Sequence, residues 1–403
     1  MEELRLLPAD LRPLRLKGRA LLPIVQGGMG VGISAHRLAA AVARENALGT
    51  IASVDLRHHH ADLMAQCKDV RDRSVLDRLN LVALDREIRL AREQSRGVGA
   101  IAVNVMKAVD QHAALVRQSC ESGAHAIVMG AGLPLDLPDL CADHPDVALI
   151  PILSDARGVA IVLRRWLRKH RLPDAIVIEH PRYAGGHLGA TRIDELGDPR
   201  FDFERVIEGV AQSMRELQIE REAIPLIAAG GINSPARMRE VLALGYAAVQ
   251  IGTAFAVTEE CDAHPTFKKV LAGARPDDIV EFISVAGLPA RAVRTVWLER
   301  YLRREPALKA EAVEWMAKKL PPDPVGRCSG ALQCLTTCGL RDGIASIGQF
   351  CIDTQLAAAL RGELSRGLFF RGAAPVPFGA AIRPARELID YLLTGRMPPA
   401  VAA

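Results

Sequence analysis

Eight short apolar runs, each followed by a segment of helical polarity, constrain this chain more than any other feature. They lie at residues 21–26, 49–53, 100–105, 126–129, 148–153, 175–179, 225–229 and 247–251. Runs this short and this continuously apolar are strands buried on both faces, which parallel strands joined by helices provide. Eight βα units in succession predict an α/β chain closed into a (β/α)8 barrel. Such a barrel takes about 250 residues. We therefore expect the barrel over residues 1–280 and an added segment over 281–403, helical and cysteine-containing.

In such barrels the chemistry sits where the strands end, and the polar residues fall there: Gln26, Asn104, Gly130 with Gly132, Ser154, and Glu179 with His180. The densest pattern is residues 224–260, one βαβ unit whose two strands both end in glycine. Gly230 and Gly231 close the first, and Gly252 with Thr253 closes the second. As strands seven and eight of a barrel, they would offer bare backbone N–H groups to a phosphate. The alternative for either loop alone is an ordinary turn in which glycine ends a strand. The first strand runs into Gly27-Gly28-Met29-Gly30. This run lacks the GxGxxG spacing, and no suitable acid follows the second strand, so a dinucleotide fold is rejected.

After the sixth strand comes HPRYAGGHLGA, in which glycines flank His187. A side-chain-free turn lets an imidazole lean over a bound ring, and histidine is the side chain best suited to move a proton near neutral pH. His187 is the expected catalytic residue; His180 and Tyr183 are weaker candidates for substrate contact. Three adjacent histidines, His58, His59 and His60, cannot all face one metal, and none is expected there.

Charge is nearly balanced at +4 with both signs mixed along the chain, which offers no basic stripe for nucleic acid. The N-terminal residues carry charges throughout, with neither a signal peptide nor a membrane span. A cytoplasmic protein with a small-molecule partner is expected.

Several separated motifs carry a family resemblance over residues 22–295: PIVQGGMG, the asparagine of VNVM, MGAGLP, AGGHLG, and the block from IPLIAAGGI to VQIGTAF. The chain resembles the nitronate monooxygenase family, also called 2-nitropropane dioxygenase-like, whose relatives include FMN-dependent enoyl-acyl-carrier-protein reductases. The resemblance implies a TIM barrel that binds FMN noncovalently and self-associates, as a dimer. Carried over, Gly230, Gly231, Gly252 and Thr253 would hold the phosphate, and Gly27, Gly28 and Met29 would lie against the flavin ring. Asn104 and Gln250 would make polar contacts, Gly130, Ser154 and Gly186 would complete the cofactor set, and His187 matches the family's active-site histidine. Many members carry Glu directly before AGGH, where this chain has Tyr183, and QGGMG is closer to the reductase branch. The substrate pocket therefore does not transfer.

Beyond residue 285, the segment AGLPARAVRTVWLERYL reads as helical after its proline, with Arg291 and Arg294 on one face. Cys328, Cys334, Cys338 and Cys351 follow, separated by five, three and twelve residues. Four soft ligands so close together point to an iron–sulfur cluster or a structural zinc, with unligated thiols as the alternative. Residues 383–393 read as an amphipathic helix packing back on the barrel. The function expected is an FMN oxidoreductase acting on a carbanionic or activated substrate. The alternative is an FMN reductase of an activated C=C bond, fed by NAD(P)H or through the cysteines. A flavin electron-transfer module without its own substrate is opposed by His187.

Overall fold

The computed structural model describes residues 7–68, 70, 72–329 and 334–399. A hairpin of β1 (Leu14–Leu16) and β2 (Arg19–Leu21) precedes the barrel, so Leu21 ends the hairpin and the first barrel strand is β3 (Ile24–Gln26). The other barrel strands are β4 (Leu48–Ala52), β5 (Ala100–Met106), β6 (Ala126–Gly130), β7 (Ala148–Leu153), β8 (Ile176–Glu179), β10 (Leu226–Ala229) and β11 (Ala248–Ile251). Together they close in the order β10-β11-β3-β4-β5-β6-β7-β8. Between β8 and β10 lies β9 (Gly186–His187), outside the barrel.

The lumen is filled by small residues. One apolar cluster takes Val25, Leu48, Ala100, Ala102, Ala126, Val128, Ala148, Ile150, Ala175, Val177, Ile227, Ala229 and Ala248. These alternate along their strands, as the two-residue side-chain period requires. The intervening positions face the helices and form the larger cluster, where Trp166 and Phe203 are almost fully buried. Burying a large apolar side chain contributes roughly 1.5–3 kcal/mol, so this outer layer carries most of the packing. Local signals set the helices. Ser234 accepts from Arg237 N and Pro235 opens the helix Pro235–Ala243, while Asp155 accepts from Gly158 N at 2.7 Å to start Ala156–Leu167. The seam between β3 and β4 has one backbone register pair, Val25 with Leu48. There Gln26 substitutes for ladder bonds: its amide donates to Thr50 O at 3.0 Å and accepts from Thr50 N at 2.8 Å.

The segment after the barrel is not helical from its proline onward. β12 (Ile279–Ile283) and β13 (Pro289–Val293) pair antiparallel, and β13 also pairs with β9. The helix begins only at Val296 and runs to Ala317. Ala290 and Ala292 are good helix formers, but pairing on both edges of β13 overrides that preference. Arg291 and Arg294 therefore share no helical face; Arg291 is buried and bonds Glu281, Pro181 O and Ala184 O.

The C-terminal helix Ala385–Thr394 packs on the barrel as expected, with Ala385 N donating to Glu260 Oε2 at 2.8 Å and Arg239 donating to Leu393 O at 2.8 Å. No helix among the described residues is long and apolar enough to cross a membrane.

Candidate active site

Two residues further along each lumen-facing row, past Val25, Ala102, Val128, Ile150, Val177 and Ala248, stand Gly27, Asn104, Gly130, Ile152, Glu179 and Gln250. All six line one cavity of about 650 Å³ at the carboxyl ends of the strands. The strand period therefore makes its floor. The walls come from loops. Met29, Ser154, Gly186, His187, Gly230, Gly231, Gly252 and Thr253 line the same cavity, as do Gly28 and Tyr183, whereas Gln26 and His180 do not line it.

The floor is shaped to admit a flat group. A Cβ on Gly28 would lie 2.3 Å from Asn104 Cβ, so only glycine lets the first loop rest on that amide. Gly230 and Gly231 hold φ of 101° and 73°, a left-handed pair that turns the backbone after β10. A Cβ on Gly231 would meet Tyr183 Cγ at 2.9 Å. Bare backbone at these loops, with the Thr253 hydroxyl beside it, matches the needs of an anionic group attached to a flat ring.

His187 is held from outside the barrel. In β9 it pairs with Ala290 of β13, and Leu188 N donates to Pro289 O at 3.0 Å. Its Nε2 is hydrogen-bonded to Ser284 Oγ at 2.9 Å, and its ring lies 5.9 Å from that of Phe370. Burial pushes its pKa down to about 4, which keeps the imidazole neutral through the physiological range. With Nε2 engaged, Nδ1 has no hydrogen-bond partner among the described residues. Glu179 is the opposite case, since burial alone raises it to about 7. His180 instead packs 4.7 Å from Tyr183 and faces Asp202 at 3.5 Å.

Four residues were not expected: Phe370, Asp55 and Asp353 in the lining, and Ser284 behind it, against His187. Ser284 and Phe370 come from the C-terminal segment, and no local pattern marks either one. Asp55, after β4, and Asp353, in the helix Ile352–Leu360, both line the cavity and hydrogen-bond each other. Burial and the neighbouring Asp55 push Asp353 well up. Despite its burial, Asp55 is held down by the bond from Asp353 and by Arg57, so the proton resides on Asp353.

The four-thiolate site expected from the cysteines is not assembled. All four are reduced thiols: Cys334 donates a hydrogen bond to Cys338, and Cys328 donates one to Cys351. Among the described residues, no group of three or more His, Cys, Asp or Glu side chains could hold a metal ion. The fold separates the pairs: Cys334 is tied to the loop after β5 through Asp110 N, whereas Cys351 caps the helix that carries Asp353. The hydrogen bond from Cys328, working against burial, lowers Cys351 to about 4, and the bond from Cys334 lowers Cys338 to about 7. His58, with no metal expected, is driven down to about 4 by burial and Arg57, while His60 lies 3.0 Å from Glu87.

Comparison with known proteins agrees with this geometry. FabK from Thermotoga maritima superposes with a TM-score of 0.62 at 23% identity, covering 92% of this chain and 91% of that one. A nitroalkane oxidase from Streptomyces ansochromogenes superposes with a TM-score of 0.61 at 19% identity, covering 93% and 95%. At these identities the two show the shared barrel fold. A protein of Bacillus subtilis strain 168 described as a probable nitronate monooxygenase is 27% identical over 285 residues, covering 69% of this chain and 78% of that protein. The nitronate monooxygenase family model itself matches residues 16–390, nearly the whole length, and the chain belongs to that family of oxidoreductases.

Proposed function

We propose that this chain is an FMN-dependent oxidoreductase of the nitronate monooxygenase type, acting on a small carbanionic or otherwise activated substrate. The observation that carries the reading is the convergence of His187 with the two glycine loops on one cavity. In this reading residues 1–280 form the catalytic barrel and residues 281–403 cover its mouth. Gly230, Gly231, Gly252 and Thr253 would hold the phosphate of FMN, Gly27, Gly28 and Met29 would lie along its ring, and Asn104 and Gln250 would meet its polar edge. When bound, FMN supplies the electron-accepting chemistry, which no side chain provides.

The residues do the rest. His187, neutral and fixed through Ser284, presents Nδ1 to a substrate and orients it by a hydrogen bond. Phe370, Met106 and Leu335 supply apolar lining that keeps bulk water from the reacting carbon. Glu179 in the floor is poised to hold or release a proton near neutral pH.

A second reading, reduction of an activated C=C bond with NAD(P)H as donor, is favoured by one observation. The cavity extends among Leu335, Ile352, Leu356 and Leu368 of the C-terminal segment, space suited to an apolar chain. Parallel assays separate the two. Oxygen uptake with an alkyl nitronate under air supports the first, while anaerobic bleaching of the flavin by NADPH supports the second. Protein that takes up no FMN removes both.

A further inference from the structure

Charged side chains round the cavity are unequally divided. Asp55, Asp155, Glu179 and Asp353 are acids, whereas Arg371 is the one lysine or arginine among the described lining residues. It is 3% exposed. Its Nε donates to Leu271 O at 3.0 Å and its Nη1 to Gly372 O at 3.3 Å, and it forms no ion pair among the described residues. Guanidinium does not give up its proton in proteins, so a buried one with two carbonyls for company lacks its counter-charge. Capping the end of the helix Pro265–Gly273 accounts for Nε but leaves that charge unbalanced.

The backbone places this cation beside the glycine loops. Gly372 N donates to Thr253 Oγ1 at 3.0 Å, Ala373 N donates to Tyr183 O at 3.1 Å, and Pro375 O accepts from Asn233 Nδ2 at 2.8 Å. Residues 371–375 therefore cross both loops, the one after β11 and the one after β10. The backbone loops supply dipoles but no net charge, and a phosphate monoester brings the negative charge that Arg371 lacks.

We infer that Arg371, delivered by the C-terminal segment, binds the phosphate monoester of the flavin nucleotide, an inference that rests on the flavin reading above. The segment then completes the site rather than only covering it. The protein should select FMN over riboflavin, which has the same ring and no phosphate.

The test is a fluorescence titration of flavin-free full-length protein with FMN and with riboflavin, for wild type, Arg371→Gln and Arg371→Lys. The glutamine variant should weaken FMN about tenfold to a hundredfold, the scale of a charge-assisted contact, and leave riboflavin within about twofold. Lysine should restore part of the FMN preference, and its thermal midpoint should match wild type. If the folded lysine and glutamine variants lose FMN and riboflavin equally, or lose neither, the role of Arg371 is structural and the inference is overturned. Wild type that binds both flavins alike overturns the inference alone, while wild type that binds neither also removes the flavin reading beneath it. An unchanged FMN preference accompanied by weaker binding of an anionic substrate assigns the cation to the substrate and overturns the inference as stated.

Discussion

His187 Nε2 and Ser284 Oγ lie 2.9 Å apart, although 97 positions separate them in the chain. Ser284 is fully buried and its hydroxyl also accepts from Ala286 N at 3.2 Å, so its proton is free to be shared with the imidazole. Orientation of the proposed catalytic ring thus depends on a residue outside the barrel, at the end of β12.

Replacing Ser284 with Ala removes that anchor. Turnover should fall about tenfold, the effect of roughly one lost hydrogen bond, with FMN affinity unchanged. His187→Ala should slow turnover further and also keep its flavin. Steady-state kinetics paired with flavin content measures both, and normal turnover in His187→Ala would remove the catalytic assignment.

Arg291 ties the His187 loop to the C-terminal strands through Pro181 O, Ala184 O and Glu281. Its removal leaves buried carbonyls without a donor. Arg291→Ala should destabilise the fold by about 3 kcal/mol and lower turnover together with it, as read by urea unfolding. A variant as stable as wild type would show that the pairing of β9 with β13 suffices.

Overpacking should be selective among glycines. Gly28→Ala drives a methyl into Asn104 Cβ, whereas a methyl on Gly197 would have nothing within 4 Å. The first change should cost about 1–3 kcal/mol and empty the flavin site; the second should be neutral. Thermal midpoints and flavin-to-protein ratios decide, and a fully loaded Gly28→Ala protein would contradict the floor described above.

Glu179 gives the cavity a pH dependence with a definite sign. Burial raises its carboxyl from 4.5 to about 7, so the neutral form is favoured in the folded state. Its contribution to stability is intact at low pH and is lost as pH climbs from about 4.5 through about 7. Above that value an added negative charge opposes an anionic ligand. Flavin retention, measured by ultrafiltration, should weaken as pH passes 7 in wild type and remain flat in Glu179→Gln; parallel curves would rule this out.

Glu87 acts at the other end of the scale. Burial would raise its carboxyl, but hydrogen bonds from His36 and His60 outweigh that and hold it at about 2. A depressed acid stabilises the fold above its unfolded value, and that stabilisation is lost as pH falls from about 4.5 to about 2. The partner works in the opposite sense: burial lowers His36, Glu87 more than compensates, and its support is lost as pH rises through its raised value. Glu87→Gln should flatten acid unfolding between pH 4.5 and 2, followed by circular dichroism.

Much of this was written locally. The eight apolar runs determined the barrel, because a strand buried on both faces needs neighbours on both edges. Closing eight of them leaves no exposed edge. The same period placed Asn104, Glu179 and Gln250 over the lumen, and the glycine pairs after the last two strands marked the loops that converge there. Where neighbours in sequence decide the conformation, local chemistry sufficed: Ser234 and Pro235 start the helix Pro235–Ala243, and the amphipathic residues 385–394 form the last helix, whereas the glycine-flanked His187, expected in a turn, lies in a strand.

Tertiary structure alone decided how the C-terminal segment is used. Residues 289–293 favour a helix in isolation, yet two strand edges capture them. Spacing alone brings four cysteines into one window, but opposite anchors draw them into two pairs. Phe370 and Asp353 reach the cavity, and Ser284 reaches His187, because β12, β13 and the chain after them fold back across the barrel mouth. The physical reason is range. Periodicity, capping and turn chemistry act within a few residues, whereas a hydrogen bond between residues 97 apart exists only after the whole barrel has closed beneath it.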